Sequence, residues 1–173
     1  MAKLRKFSAY QKVERPYTRI SKYRKKAYVR ANPNIKIVRF EMGDCKKDFQ
    51  VTLELLSKDK RQIRHNAIES GRQAANRLLE KDVGKESFHM KIRIYPFHIL
   101  RENPLAAGAG ADRMSTGMKK SFGKAIGAAA QVKEGQVLVT LKVNKQHVAT
   151  AKDALRRFSC KMPVSCRTVI TGA

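Results

Sequence analysis

Glycine beside lysine is the combination in this chain best suited to handle phosphate. It is concentrated in one stretch, 103–127, which holds Gly108, Gly110, Gly117, Gly123 and Gly127, five of the ten glycines, together with Arg113, Lys119, Lys120 and Lys124 against a single acid, Asp112. Backbone N–H groups near glycine can approach an anion closely, and lysine adds charge. Two nucleotide-binding lookalikes occur within it. Gly117 and Gly123 are separated by five residues where a P-loop needs four, and Ala125 follows Lys124 where a magnesium-binding hydroxyl belongs. Gly108-Ala-Gly110-Ala-Asp-Arg113 places arginine where the third small residue of a dinucleotide fingerprint should sit. Neither is a true match, so the stretch reads as a cationic finger for the phosphates of a nucleic acid, with a nucleotide-binding or RNA-modifying enzyme as the alternative.

Other chemistry is sparse. The histidines His65, His89, His98 and His147 are scattered, and Cys45, Cys160 and Cys166 include no CxxC pair. No nucleophile elbow is present. No catalytic, cofactor-binding or metal-binding residues are expected. An odd, sparse set of cysteines suits a reducing cytoplasm, and no apolar run approaches a membrane span.

Charge dominates the composition. In 173 residues, 38 Lys and Arg stand against 14 Asp and Glu, a formal net charge of +24. Self-repulsion on that scale points to a polyanionic partner, nucleic acid first. Residues 1–30 carry eleven basic residues and one acid, interleaved with Phe7, Tyr10, Tyr17, Tyr23 and Tyr28, and their apolar positions keep no regular period. The expectation is an arm, residues 1–34, that orders on RNA through Lys3, Arg5, Lys6, Arg15, Arg19, Lys22, Arg24, Lys25, Lys26 and Arg30.

A single globular domain is expected over 35–173. Strands are expected at Ile35 to Met42, from Phe49 through the alternation Val51, Leu53, Leu55, and from Phe88 through Met90, Ile92 and Ile94 to a stop at Pro96. Further strands are expected at Val137 to Val143 and near Val164 to Thr171. Between them lie a helix capped by Ser57 or Asp59, with an apolar stripe from Ile63 to Leu79, and a second helix over Lys145 to Phe158. The first helix directs Arg61, Arg64, Arg72 and Arg77 outward, toward RNA. The fold class is α+β, a two-layer sandwich of a mainly antiparallel sheet with two helices, from which the glycine-rich loop projects.

Phe88-His-Met-Lys-Ile-Arg-Ile-Tyr-Pro-Phe-His98, then Ala109-Gly-Ala-Asp-Arg-Met, Ser115-Thr-Gly-Met and Phe122-Gly-Lys124, resemble one family. It is the universal large-subunit ribosomal protein numbered sixteen in bacteria and ten-e in archaea and eukaryotes, and the likeness is to the archaeal branch. The resemblance implies an α/β-hammerhead-type fold and binding to large-subunit ribosomal RNA near the peptidyl transferase centre and the tRNA acceptor arms, beside other large-subunit proteins. The family's functional loop maps onto Gly108 to Lys124, including Asp112. Where eukaryotic members usually carry Met-Arg-Gly-Ala-Phe-Gly-Lys-Pro, this chain has Met118-Lys-Lys-Ser-Phe-Gly-Lys-Ala125.

Overall fold

The computed structural model describes residues 4–18, 23, 25, 33–103 and 123–172. Two antiparallel sheets and two helices make up the described chain, in keeping with the α+β class. The strands are β1 (Glu41–Gly43), β2 (Val51–Ser57), β3 (Arg61–Arg64), β4 (Phe88–Ile92), β5 (His98–Glu102), β6 (Lys124–Val132), β7 (Val137–Val143) and β8 (Cys166–Thr171); the helices are α1 (His65–Asp82) and α2 (Val148–Ser159). No described helix is long and apolar enough to cross a membrane.

The large sheet runs β1-β4-β7-β2-β8. Its central strands alternate as the sequence suggests: Val51, Leu53 and Leu55 are buried on β2, Phe88, Met90 and Ile92 on β4, and Leu141 and Val143 on β7. Their inward side chains join those of α1 and α2 (Ile68, Leu79, Leu155 and Phe158) in one large core. The two helices pack closely at Gly71, where an added Cβ would lie 3.0 Å from both Met162 Cε and Phe158 Cδ2.

The small sheet runs β3-β6-β5 and was not foreseen as a separate sheet. Its central strand β6 is built from Ala128, Ala129 and Ala130, which are weak strand formers, and the glycine-rich stretch obscured where it begins. The strand starts at Lys124, so Lys124 and Gly127 belong to β6 and not to a loop. Glu102 pairs with Lys124 at the end of the β5–β6 hairpin, which forms the neck of the glycine-rich segment.

Two further expectations need correction. The helix expected from Ser57 or Asp59 begins only at His65, because Arg61–Arg64 pair with β6 as β3, and Ile63 is buried on that strand. Ser57 instead closes the intervening turn, its hydroxyl donating to the Asp59 carbonyl at 2.8 Å. The strand expected over Ile35 to Met42 is reduced to β1, although Ile37 is still buried in the core.

Candidate nucleic-acid interface

The amino-terminal segment is expected from its sequence to be an arm that orders on RNA. Residues 4–18 make contacts with the small sheet in the protein alone, by individual side chains and backbone groups rather than by a periodic face. Tyr10 is 7% exposed and forms a second, small core with Leu100 and Ala129. Its backbone carbonyl accepts a hydrogen bond from Gln62 Nε2 at 3.1 Å, and Gln131 Nε2 donates to the Glu14 carbonyl at 2.9 Å. The Tyr17 N–H donates to His98 Nδ1 at 2.8 Å, and the Ile99 N–H donates to the Tyr17 carbonyl at 3.2 Å. Arg101 lies 3.8 Å from the centre of the Tyr17 ring.

These contacts converge on the neck of the glycine-rich segment. The Tyr10 hydroxyl accepts from the Arg5 N–H at 2.9 Å and donates to Glu102 Oε1 at 2.7 Å, while Arg5 Nε pairs with Glu102 Oε2 at 2.9 Å. Burial pushes the Tyr10 hydroxyl's pKa up, which keeps it a donor. Just before the opposite strand Gly123 has φ +82°, and a Cβ there would lie 2.6 Å from the Glu102 carbonyl carbon. Gly123 is therefore required by the neck itself, whatever its role in the loop.

The cations expected to face RNA divide into three groups. Lys6, Arg15, Lys25, Arg77 and Lys124 are exposed. Arg5, Arg61 and Arg64 have partners within the chain: Arg61 pairs with Asp59 at 3.8 Å, and Arg64 donates to the Arg5 carbonyl at 3.1 Å and lies over the Tyr10 ring. The Arg61–Asp59 pair, open to solvent on both sides, is worth little and yields readily to a phosphate. Arg72 does not face outward as expected. Its guanidinium pairs with Glu69 at 2.6 Å, the two side chains being 12% and 10% exposed. The Arg72 hydrogen bond holds the Glu69 carboxyl below its usual range, and the Val38 N–H also donates to it at 3.3 Å. Arg72 thus anchors the chain entering β1 to α1. Lys3, Arg19, Lys22, Arg24, Lys26 and Arg30 lie outside the described residues, as do Gly108, Gly110, Asp112, Arg113, Gly117, Lys119 and Lys120.

Beside the Arg72–Glu69 pair a cleft of about 460 Å³ opens between α1 and β1, lined in part by Arg39, Arg72, Asn76, Glu80 and Lys85. Asn76 Oδ1 is buried there without a hydrogen-bond partner.

Burial, the largest cause, lowers the pKa values of His65, His89 and His98. A neutral His98 ring suits its part as acceptor from Tyr17, and His65 Nδ1 accepts in the same way from the Lys36 N–H at 3.4 Å. Folding also brings Glu41, Cys45 and His89 together, with one donor atom from each within 4.8 Å of the others, a set that sequence spacing did not reveal. Lys91 pairs with Glu41, and Lys142 also bears on His89, so cationic neighbours oppose a bound metal ion. The Cys166 thiol is pushed up to about 11 by burial, which makes it inert.

Sequence reasoning passed over Glu102, Tyr10 and His98 as neck contacts because their partners are distant in the chain. It also passed over Phe40, Tyr95 and Phe97, although Tyr95 stood on the outward side of a clear alternation.

Residues 18–169 match the family model described as ribosomal protein L16p/L10e. Three archaeal relatives are each called large ribosomal subunit protein uL16. That of Methanococcus maripaludis strain S2 is 47% identical over 168 residues, covering 97% of this chain and 94% of the relative. That of Methanococcus aeolicus is 44% identical over 167 residues, covering 96% and 94%. In Staphylothermus marinus the identity is 45% over 157 residues, covering 90% of each.

Proposed function

The chain belongs to the ribosomal protein L16p/L10e family, as a large-subunit ribosomal protein and not an enzyme, and from that premise we propose that it binds ribosomal RNA near the peptidyl transferase centre and presents its glycine-rich segment to tRNA acceptor arms. The carrying observation is the neck. A cationic, glycine-rich sequence leaves the body through a hairpin end whose two sides are fixed by the Glu102 contacts and by Gly123. A segment that is costly to order gains most when its roots are already in place. Exposed Lys6, Arg15, Lys25, Arg77 and Lys124 supply phosphate contacts around the body, together with the arm residues Lys3, Arg19, Lys22, Arg24, Lys26 and Arg30.

Replacing Arg113, Lys119, Lys120 and Lys124 with alanine is expected to leave incorporation into large subunits nearly intact and to lower peptide synthesis by the purified particles. Sedimentation of a tagged variant, followed by translation with the recovered subunits, reads both quantities. Normal translation, or failure to assemble, would sink this reading.

A further inference from the structure

Between β4 and β5 the chain keeps a two-residue alternation although residues 93–97 belong to neither sheet. Ile94, Pro96 and His98 turn inward, while Arg93, Tyr95 and Phe97 turn outward and are exposed. Tyr95 is 43% exposed and Phe97 68%. The rings are not independent. Phe40 stacks on Tyr95 with centroids 5.3 Å apart and planes 25° from parallel, and Tyr95 meets Phe97 at 4.6 Å and 50°. Backbone hydrogen bonds hold the ladder in place: the Ile92 N–H to the Phe40 carbonyl at 2.8 Å, the Arg93 N–H to the Leu138 carbonyl at 2.9 Å, and the Phe97 N–H to the Tyr95 carbonyl at 3.0 Å. Nothing among the described residues covers Phe97 enough to account for so large an exposed apolar ring.

We propose that this ladder is a stacking platform for an unpaired nucleobase of ribosomal RNA, with the base seated on Phe97. Three features favour a base over an apolar protein segment. The exposed rings offer π-faces that any base can stack on. Arg93, on the same outward side of the run as Tyr95 and Phe97, is exposed and suits a phosphate next to a splayed base. A net charge of +24 draws an anionic strand to the protein from a distance. The ladder is already assembled in the protein alone, so little ordering is needed on binding. The proposal rests on the ribosomal RNA reading above and adds to it a site of different chemistry, one that recognises a base and not a charge.

The chain contains no tryptophan, so Phe97→Trp in the full-length protein is a single-site reporter. Single-stranded oligoadenylate is titrated against an abasic strand of equal length and charge. The expected result is quenching of the reporter's emission by oligoadenylate and little by the abasic strand. A control Ile170→Trp reporter, on the far edge strand, should respond to neither. In parallel, Phe97→Ala should weaken oligoadenylate binding roughly 5- to 150-fold at this site while leaving the dependence on salt unchanged. Equal quenching by both strands, or binding of oligoadenylate with no quenching, would overturn the proposal. So would a reporter that ignores RNA but becomes shielded in the assembled subunit, since the face would then belong to a protein neighbour. If neither strand binds wild-type protein even at low salt, the ribosomal RNA reading fails first, and the platform falls with it.

Discussion

The two sheets are held by different physics. The large sheet and its helices enclose a continuous apolar core in which Leu53, Leu141, Leu155 and Phe158 are fully buried. The small sheet gives Ile63, Ala130 and Val132 to that core, but among the described residues its other contacts are a small cluster of Tyr10, Leu100 and Ala129 and hydrogen bonds to a segment of chain distant in sequence. Apolar burial is non-directional and tolerates some adjustment, whereas polar contacts fail abruptly when one partner moves. The glycine-rich segment is attached to the second kind of structure. The neck, tied at Glu102 to the segment held this way, is therefore expected to loosen before the large core does.

The largest effect is expected from Phe158→Ala, which empties the centre of the large core. It should cost about 3–5 kcal/mol and lower the denaturant midpoint of global unfolding accordingly. Tyr10→Phe removes the hydroxyl that ties the amino-terminal segment to Glu102 and should cost about 1–2 kcal/mol. That loss should quicken protease cleavage within residues 4–18 roughly 5- to 30-fold while barely moving the global midpoint. If Tyr10→Phe moves the global midpoint by its full cost, the two sheets unfold as one unit and the contrast between them is broken.

The smallest effect is expected from pH. His65 and His98 both have pKa values lowered in the fold, so their unfolded forms bind protons more readily. Their contribution is fully present above the unfolded value near 6.5 and is lost as pH falls below it toward the folded values. Between pH 7 and 6 each histidine costs less than about 1 kcal/mol. Hydrogen exchange should show the amides of β5 and of the Tyr17 contact loosening over that interval. Glu69, a carboxylate with a lowered pKa, keeps its contribution until pH drops below about 4.5, so its ion pair at the body outlasts the histidine contacts. His89 shifts in the same direction, but its Nε2 makes no hydrogen bond that protonation could break. Simultaneous loosening of β2 and β7 amides above pH 6 would contradict the regional difference.

How much of this was legible in the sequence follows the same division. β2, β4, β7 and α2 could be read because apolar burial leaves a period of two or of 3.6 residues. Arg61 and Arg64 went to a helix because Ile63 fits a helical stripe as well as a strand, and only pairing with β6 decides between them. β6 itself, rich in alanine and preceded by glycine, carries no strand propensity and is fixed by its two neighbours. Arg72 read as an outward cation because Glu69, one helical turn back, gave no sign of being buried with it. The docking of Tyr10 on Glu102 joins residues 92 positions apart, a distance at which local pattern is silent.

The direct passage of β3 into α1, from Arg64 to His65 with no intervening loop, has a mechanical consequence. A load placed on the glycine-rich segment enters at Glu102 and Lys124 and passes as shear along the β5–β6 ladder and then the β6–β3 ladder. Ladder bonds loaded in shear share the strain, and β3 delivers what remains to the first turn of an 18-residue helix. The neck at Glu102 and Lys124 is in effect the free end of a cantilever whose fixed end is α1, itself braced against α2 at Gly71. A push there is therefore borne by the longest described helix, and the edge strands β1 and β8 lie off the load path.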